Sequence, residues 1–131
     1  WERVLKESAY ALQGDDDVAC ETDFQGLGKT FPHKLHDAKP GENKSGAAHS
    51  EAFYEAFTCT PFALDYLFDL ARTALEKEQM GRDDVTDLLG ISVTTTDIVG
   101  HSYGPDSHEA MDTVVRLDGQ VAGLLQYLDK H

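Results

Sequence analysis

The sequence has few basic residues and no long apolar run. Its 131 residues include 11 lysines and arginines against 24 aspartates and glutamates, which gives a formal net charge of −13 at pH 7. A chain this acidic repels a phosphate backbone unless a local basic patch is present, and none is visible in the sequence. The apolar runs are too short to cross a bilayer, and no basic region precedes an apolar one at the start. We therefore expect no nucleic-acid partner and no membrane span.

Cysteines and common catalytic motifs are also scarce. Cys20 and Cys59 are too few for a disulfide scaffold and lack C-x-x-C spacing, so they are either two small buried or half-buried side chains or one disulfide. The sequence has no G-x-G-x-x-G, P-loop, G-x-S-x-G or HExxH motif. These absences argue against the dinucleotide-binding, P-loop, serine-hydrolase and zinc-protease classes that such motifs mark.

What remains is the composition of an ordinary globular domain, with 40% hydrophobic and 27% charged residues. A chain of this length is expected to form one core. It opens on Trp1 without an initiator methionine and stops at His131 directly after an apolar helical pattern. We therefore expect residues 1–131 to be a single fragment of a longer protein.

The first 59 residues predict little regular structure. Apolar residues at helical spacing favour a short helix over residues 1–13, and a long irregular segment rich in Gly, Asp, Lys and His follows to about Ser50. Three histidines of this segment, His33, His36 and His49, invite a metal site. They have no cysteine or carboxylate at ligand spacing, so we interpret them as solvated loop histidines.

Residues 60–131 predict helix, strand, loop and helix. Thr60 and Pro61 suit the start of a helix over about residues 61–79, which Gly81 would end. The apolar, β-branched run from 87 to 96 predicts a strand buried on both faces, with Thr94, Thr95 and Thr96 as scaffold. A last helix follows Gly104-Pro105, capped by Asp106 or Ser107. This order predicts an α/β fold with helices flanking part of a mainly parallel sheet.

Asp97 and His101 lie where the predicted strand ends. Functional residues of open α/β sheets gather at the carboxyl ends of strands. An Asp-x-x-x-His pair in a turn can aim a carboxylate oxygen and an imidazole nitrogen at one point, which suits Zn²⁺. The alternative is that both side chains only make local hydrogen bonds.

The whole stretch from Thr86 to His131 resembles a segment of bacterial alkaline phosphatases of the type I phosphodiesterase and nucleotide pyrophosphatase group. The family's D-x-x-G-H-x-x-G-P-x-S/T-x-E signature is matched by seven residues: Asp97, Gly100, His101, Gly104, Pro105, Ser107 and Glu109. An R-L-D element follows at Arg116 to Asp118. The resemblance is strong over about residues 60–131 and looser before. It implies a partial alkaline-phosphatase-like fold in which Asp97 and His101 bind one of two active-site zinc ions.

The resemblance further implies a segment of a zinc-dependent phosphate-ester hydrolase whose nucleophilic threonine lies outside this chain. A phosphomonoesterase is expected first, and a phosphodiesterase or nucleotide pyrophosphatase is the alternative. A non-catalytic acidic α/β module that binds a partner through residues 14–59 is a third reading. The fragment alone is expected to be inactive, to hold zinc weakly at most, and to self-associate through exposed strand edges. Family members are exported to the periplasm, where Cys20 could pair with Cys59.

Overall fold

The computed structural model describes residues 1–37 and 48–130 and contains helices joined by irregular segments. Two short 3-10 helices, Glu7–Tyr10 and Phe24–Gly26, precede four α-helices. The α-helices are α1 (Glu51–Thr58), α2 (Pro61–Lys77), α3 (Thr95–Tyr103) and α4 (His108–Leu128). Helix α4 packs against both α2 and α3.

The predicted α/β fold is wrong for the described residues, because they contain no strand and therefore no sheet. The run from 87 to 94 is irregular, and Leu88 within it is 93% exposed. A strand needs a neighbouring strand for its backbone hydrogen bonds, and no described segment pairs with this one. The last residues of the run instead enter a helix, since the N–H groups of Asp97 and Ile98 both donate to the Thr94 carbonyl.

The two long helices are confirmed. Helix α2 begins with Pro61 in its first turn and ends at Lys77, with Gly81 in a left-handed conformation (φ +73°) shortly after. Helix α4 is capped by Ser107, whose hydroxyl accepts a hydrogen bond from the Ala110 N–H. The apolar side chains of α4 are only partly covered, since Val114, Val121 and Leu125 are 56%, 42% and 56% exposed.

The predicted helix over residues 1–13 is reduced to the 3-10 turn Glu7–Tyr10. The cause is Asp112 on α4, which is fully buried and accepts three hydrogen bonds from this segment. The donors are Trp1 Nε1 at 2.9 Å, the Val4 N–H at 2.6 Å and the Tyr10 hydroxyl at 2.6 Å. The segment therefore follows the surface of α4 instead of coiling on itself.

The core lies where the N-terminal segment meets α1, α3 and α4. Its buried members are Trp1, Leu27, Ala56, Cys59, Val99 and Tyr103. Trp1 meets the rings of Phe31 and Tyr103 edge-on, at centroid distances of 5.4 and 6.3 Å. Among the described residues, none of the helices has the length and apolar character that a membrane crossing requires.

Candidate metal site on helix α3

Helix α3 presents one buried face and one exposed face. The buried face consists of Thr95, Val99, Ser102 and Tyr103, which recur at spacings of four, three and one residues. Asp97 in the first turn and His101 in the last turn lie on the other side. The helical backbone therefore places both predicted ligands one turn apart on one exposed face, where the sequence had predicted a turn after a strand.

The two side chains are close and open to solvent. His101 Nε2 lies 3.5 Å from Asp97 Oδ1, and the imidazole and carboxylate are 82% and 71% exposed. Both border a shallow cleft of about 330 Å³, which Thr96, Gly100 and Pro105 complete. An exposed ion pair of this kind contributes little to stability, typically ~0.2–1 kcal/mol. The pair is thus accessible to a ligand, and its mutual contact adds little to stability.

The donor chemistry suits a divalent ion such as zinc, which binds imidazole nitrogen and carboxylate oxygen. Structural zinc sites have four protein ligands and catalytic ones usually three, whereas this face offers two. Within residues 1–37 and 48–130, no group of three or more His, Cys, Asp or Glu side chains could hold a metal. Asp97 and His101 therefore offer two donor groups, fewer than either kind of zinc site uses.

The loop histidines differ from the prediction in one important case. His33 is 2% exposed, so the interpretation of it as solvated is wrong. Its Nε2 lies 2.8 Å from Glu109 Oε1, and its Nδ1 lies 3.1 Å from the Leu27 carbonyl. His36 is exposed, and His49 is partly exposed and paired with Asp37 at 2.6 Å.

Both ring nitrogens of His33 thus face oxygen atoms. A neutral imidazole carries one N–H, so both contacts become hydrogen bonds only if the pair holds one further proton, on the ring or on the Glu109 carboxyl. Glu109 is itself completely buried, and its Oε2 has no hydrogen-bond partner. The sequence could not reveal this pair because its members are 76 residues apart.

The threonines and cysteines occupy different environments. Thr95 is buried on α3, whereas Thr96 borders the cleft beside Asp97. Both cysteines are free thiols, Cys20 exposed and Cys59 buried. Burial raises the pKa of the Cys59 thiol, against a hydrogen bond with Ser102 that lowers it. Cys59 is therefore a packed core side chain and has the wrong environment for a reactive thiolate.

Comparison with known proteins identifies the family. The sequence model of the type I phosphodiesterase / nucleotide pyrophosphatase family matches residues 7–131. The chain belongs to this family. Membership confirms the resemblance seen in the signature and places the chain in the alkaline phosphatase and phosphodiesterase superfamily, a group of hydrolases.

Characterised relatives of this type I phosphodiesterase family member are similar along the whole chain. Alkaline phosphatase PafA of Elizabethkingia meningoseptica is 35% identical over 131 residues, covering 99% of the chain and 22% of the relative. A Myroides odoratus protein named a calcium-transporting ATPase is 34% identical, covering 100% of the chain and 23% of the relative. The chain thus spans less than a quarter of the length of these relatives.

Solved structures agree with the sequence comparison. The crystal structure of wild-type PafA superimposes with a TM-score of 0.72 at 29% identity, covering 99% of this chain and 23% of that one. A substituted variant of PafA gives a TM-score of 0.78 with the same coverage. The helical arrangement described above is therefore a portion of the alkaline-phosphatase-like fold.

Proposed function

We propose that this chain is a segment of a zinc-dependent phosphate-ester hydrolase, an alkaline-phosphatase-like phosphomonoesterase, and supplies two ligands of one zinc ion. The observation that carries the proposal is the placement of Asp97 and His101 one turn apart on the exposed face of α3. His101 Nε2 lies 3.5 Å from Asp97 Oδ1, beside an open cleft. The family signature around them supports the same assignment.

The two side chains differ in what they contribute. The Asp97 carboxylate supplies negative charge and an oxygen donor, and the His101 imidazole supplies a neutral nitrogen donor through whichever ring nitrogen faces the ion. When bound, zinc would stabilise negative charge on phosphate-ester oxygens. Because both donors are held by one helix, their separation is set before the metal arrives, which reduces the ordering that binding requires.

Two ligands alone do not make a catalytic centre. We therefore propose that the 131-residue chain by itself binds zinc weakly and does not hydrolyse phosphate esters, and that the activity belongs to the whole protein. Nothing in the cleft supplies an activated nucleophile: Thr96 borders it, but no described hydrogen bond joins the Thr96 hydroxyl to a general base.

Zinc titration of the chain tests the metal site. We expect Asp97→Asn and His101→Gln each to lower zinc affinity at least about tenfold, which is ~1.4 kcal/mol of binding free energy. His36→Gln is the matched control, since His36 is an exposed histidine away from α3. Equal zinc affinity in all four proteins would refute the assignment. The proposed inactivity would be refuted if an aryl-phosphate-hydrolysing activity copurified with the chain and were absent from Asp97→Ala.

The second candidate is a phosphodiesterase or nucleotide pyrophosphatase, which the family description favours. The family resemblance implies that the groups separating a monoester from a diester lie mostly outside residues 1–131. We therefore expect the choice to be decided on the whole protein, by comparing kcat/KM for phenyl phosphate with that for a phenyl phosphodiester. A higher value for the diester would overturn the phosphomonoesterase assignment.

We also propose a periplasmic or secreted location and a phosphate ester as the partner molecule, with no nucleic acid. The family resemblance supports the location, and the net charge of −13 argues against a nucleic-acid partner. Cell fractionation of the source organism with an antibody against this chain tests the location. Recovery in the cytoplasmic fraction would contradict it.

A further inference from the structure

The last turn of α3 is held by segment 20–33, which includes the 3-10 helix Phe24–Gly26. The Ser102 carbonyl accepts hydrogen bonds from both the N–H and the hydroxyl of Thr22, each at 2.9 Å. The Tyr103 hydroxyl donates to the Gly28 carbonyl at 3.1 Å. These contacts involve the two residues that directly follow His101, so the segment grips the helix at the end that carries this predicted ligand.

The same segment is anchored to α4 by a buried pair. His33 contacts Glu109 at 2.8 Å, and both side chains are completely excluded from solvent. The His33 ring packs against the rings of Tyr103 and Trp1, at centroid distances of 5.1 and 4.7 Å. A contact between two polar side chains that water cannot reach is costly to break, so this pair fixes the segment relative to both α3 and α4.

We infer that segment 20–33, anchored by the His33–Glu109 pair, positions His101 for the proposed metal site. His33 and Glu109 are positioning residues that act through Tyr103 and do not touch the cleft. The role in metal binding rests on the proposed function. The effect of the buried pair on the last turn of α3 can be measured without any metal.

Two variants of the chain test the inference. Glu109→Gln keeps the shape of the side chain but replaces its carboxyl group by an amide. Thr22→Val removes only the hydroxyl bond to Ser102, at an exposed position that should not affect folding. Glu76→Gln is the matched control, because Glu76 is an exposed glutamate on α2. The readouts are amide hydrogen exchange and the His101 imidazole resonances by NMR, together with zinc affinity by titration.

We expect Glu109→Gln to speed exchange of the amides at the end of α3, including the Gly104 N–H that bonds to the Gly100 carbonyl, by about tenfold. The His101 resonances should shift and zinc affinity should fall by a similar factor. Thr22→Val should give smaller changes in the same direction. Amides of α2 and the control should remain as in the wild type.

A purely structural role for the pair would slow or speed exchange throughout the chain and leave zinc affinity of the folded protein unchanged. Unchanged α3 exchange and unchanged His101 resonances in both variants would overturn the inference. If the wild-type chain binds no zinc, the proposed metal site fails, and the exchange and resonance data still decide whether the pair positions His101. If zinc binds equally well to wild type and variants, the inference fails and the metal site stands.

Discussion

Replacing Asp112 by asparagine should destabilise the chain. Asp112 is fully buried and accepts four hydrogen bonds, three from the N-terminal segment and one from Arg116 Nε at 2.7 Å. Asparagine keeps the shape but replaces one acceptor oxygen by a donor. We expect the asparagine side chain to point its amide oxygen toward Trp1 and Arg116, which can only donate, and its NH₂ group toward Tyr10 and Val4.

The size of the effect follows from those contacts. The Tyr10 hydroxyl can rotate to accept from the NH₂ group, but the Val4 N–H cannot and loses its partner. This bond is only partly buried, so the loss costs about 1 kcal/mol. Loss of the negative charge facing Arg116 weakens a charge-assisted bond by about 1–2 kcal/mol. The free energy of unfolding should fall by about 2–3 kcal/mol, a large share of the ~5–15 kcal/mol that stabilises a domain.

The assay is urea unfolding followed by the fluorescence of Trp1, the only tryptophan, whose Nε1 donates directly to Asp112. Its emission should also shift to longer wavelength in the variant before global unfolding, because the N-terminal segment loosens first. Asp118→Asn is the control, since Asp118 is exposed on the same helix. A loss below about 0.5 kcal/mol, the ordinary range for surface substitutions, would refute the reasoning.

Three other predictions concern burial, backbone and surface. Burial raises the pKa of Glu21 above its ordinary 4.5, so the contribution of this group to stability is complete below that value and is lost as pH rises. Glu21→Gln should therefore raise the urea midpoint at pH 7 and leave it unchanged at pH 3; a lower midpoint at pH 7 would contradict this. Gly104 has φ +99°, and an added Cβ would lie 3.0 Å from Cys20 Sγ, so Gly104→Ala should cost at least about 1 kcal/mol in the same assay. Gly119→Ala, in open space within α4, should not destabilise the chain and should add up to about 1 kcal/mol, because alanine favours the helix more than glycine does. The exposed Leu125 should promote self-association, which Leu125→Lys should reduce in sedimentation velocity; an equally monomeric wild type would contradict it.

Local signals were enough to predict the two long helices. Pro61 and Ser107 mark helix starts because each suits a position whose backbone N–H has no partner within the helix. From each of these starts to the end of its helix, the apolar residues recur with the 3.6-residue period of an α-helix. These signals depend only on neighbouring residues, so the sequence contains them in full.

Helix α3 was mistaken for the end of a strand because its composition and its packing disagree. Its two threonines, Ile98 and Val99 favour extended structure intrinsically, since β-branched side chains are restricted in helices. Burial decides the outcome: Thr95, Val99 and Tyr103 share the face that packs into the core. The four-residue spacing of those residues was visible in the sequence. This spacing outweighs the β-branched composition only because α4 offers a surface on which the buried face of α3 can pack. No local sequence pattern describes that surface.

The four signature residues with polar side chains divide into two groups that the sequence does not separate. Ser107 and Glu109 are buried, one capping α4 and the other holding His33, so their identities are explained by folding. Asp97 and His101 are exposed, and their mutual contact adds too little stability to explain why these two residue types occur here. Since packing and stability explain the first group and leave the second without a structural purpose, the exposed pair is where the chemistry of this segment is to be sought.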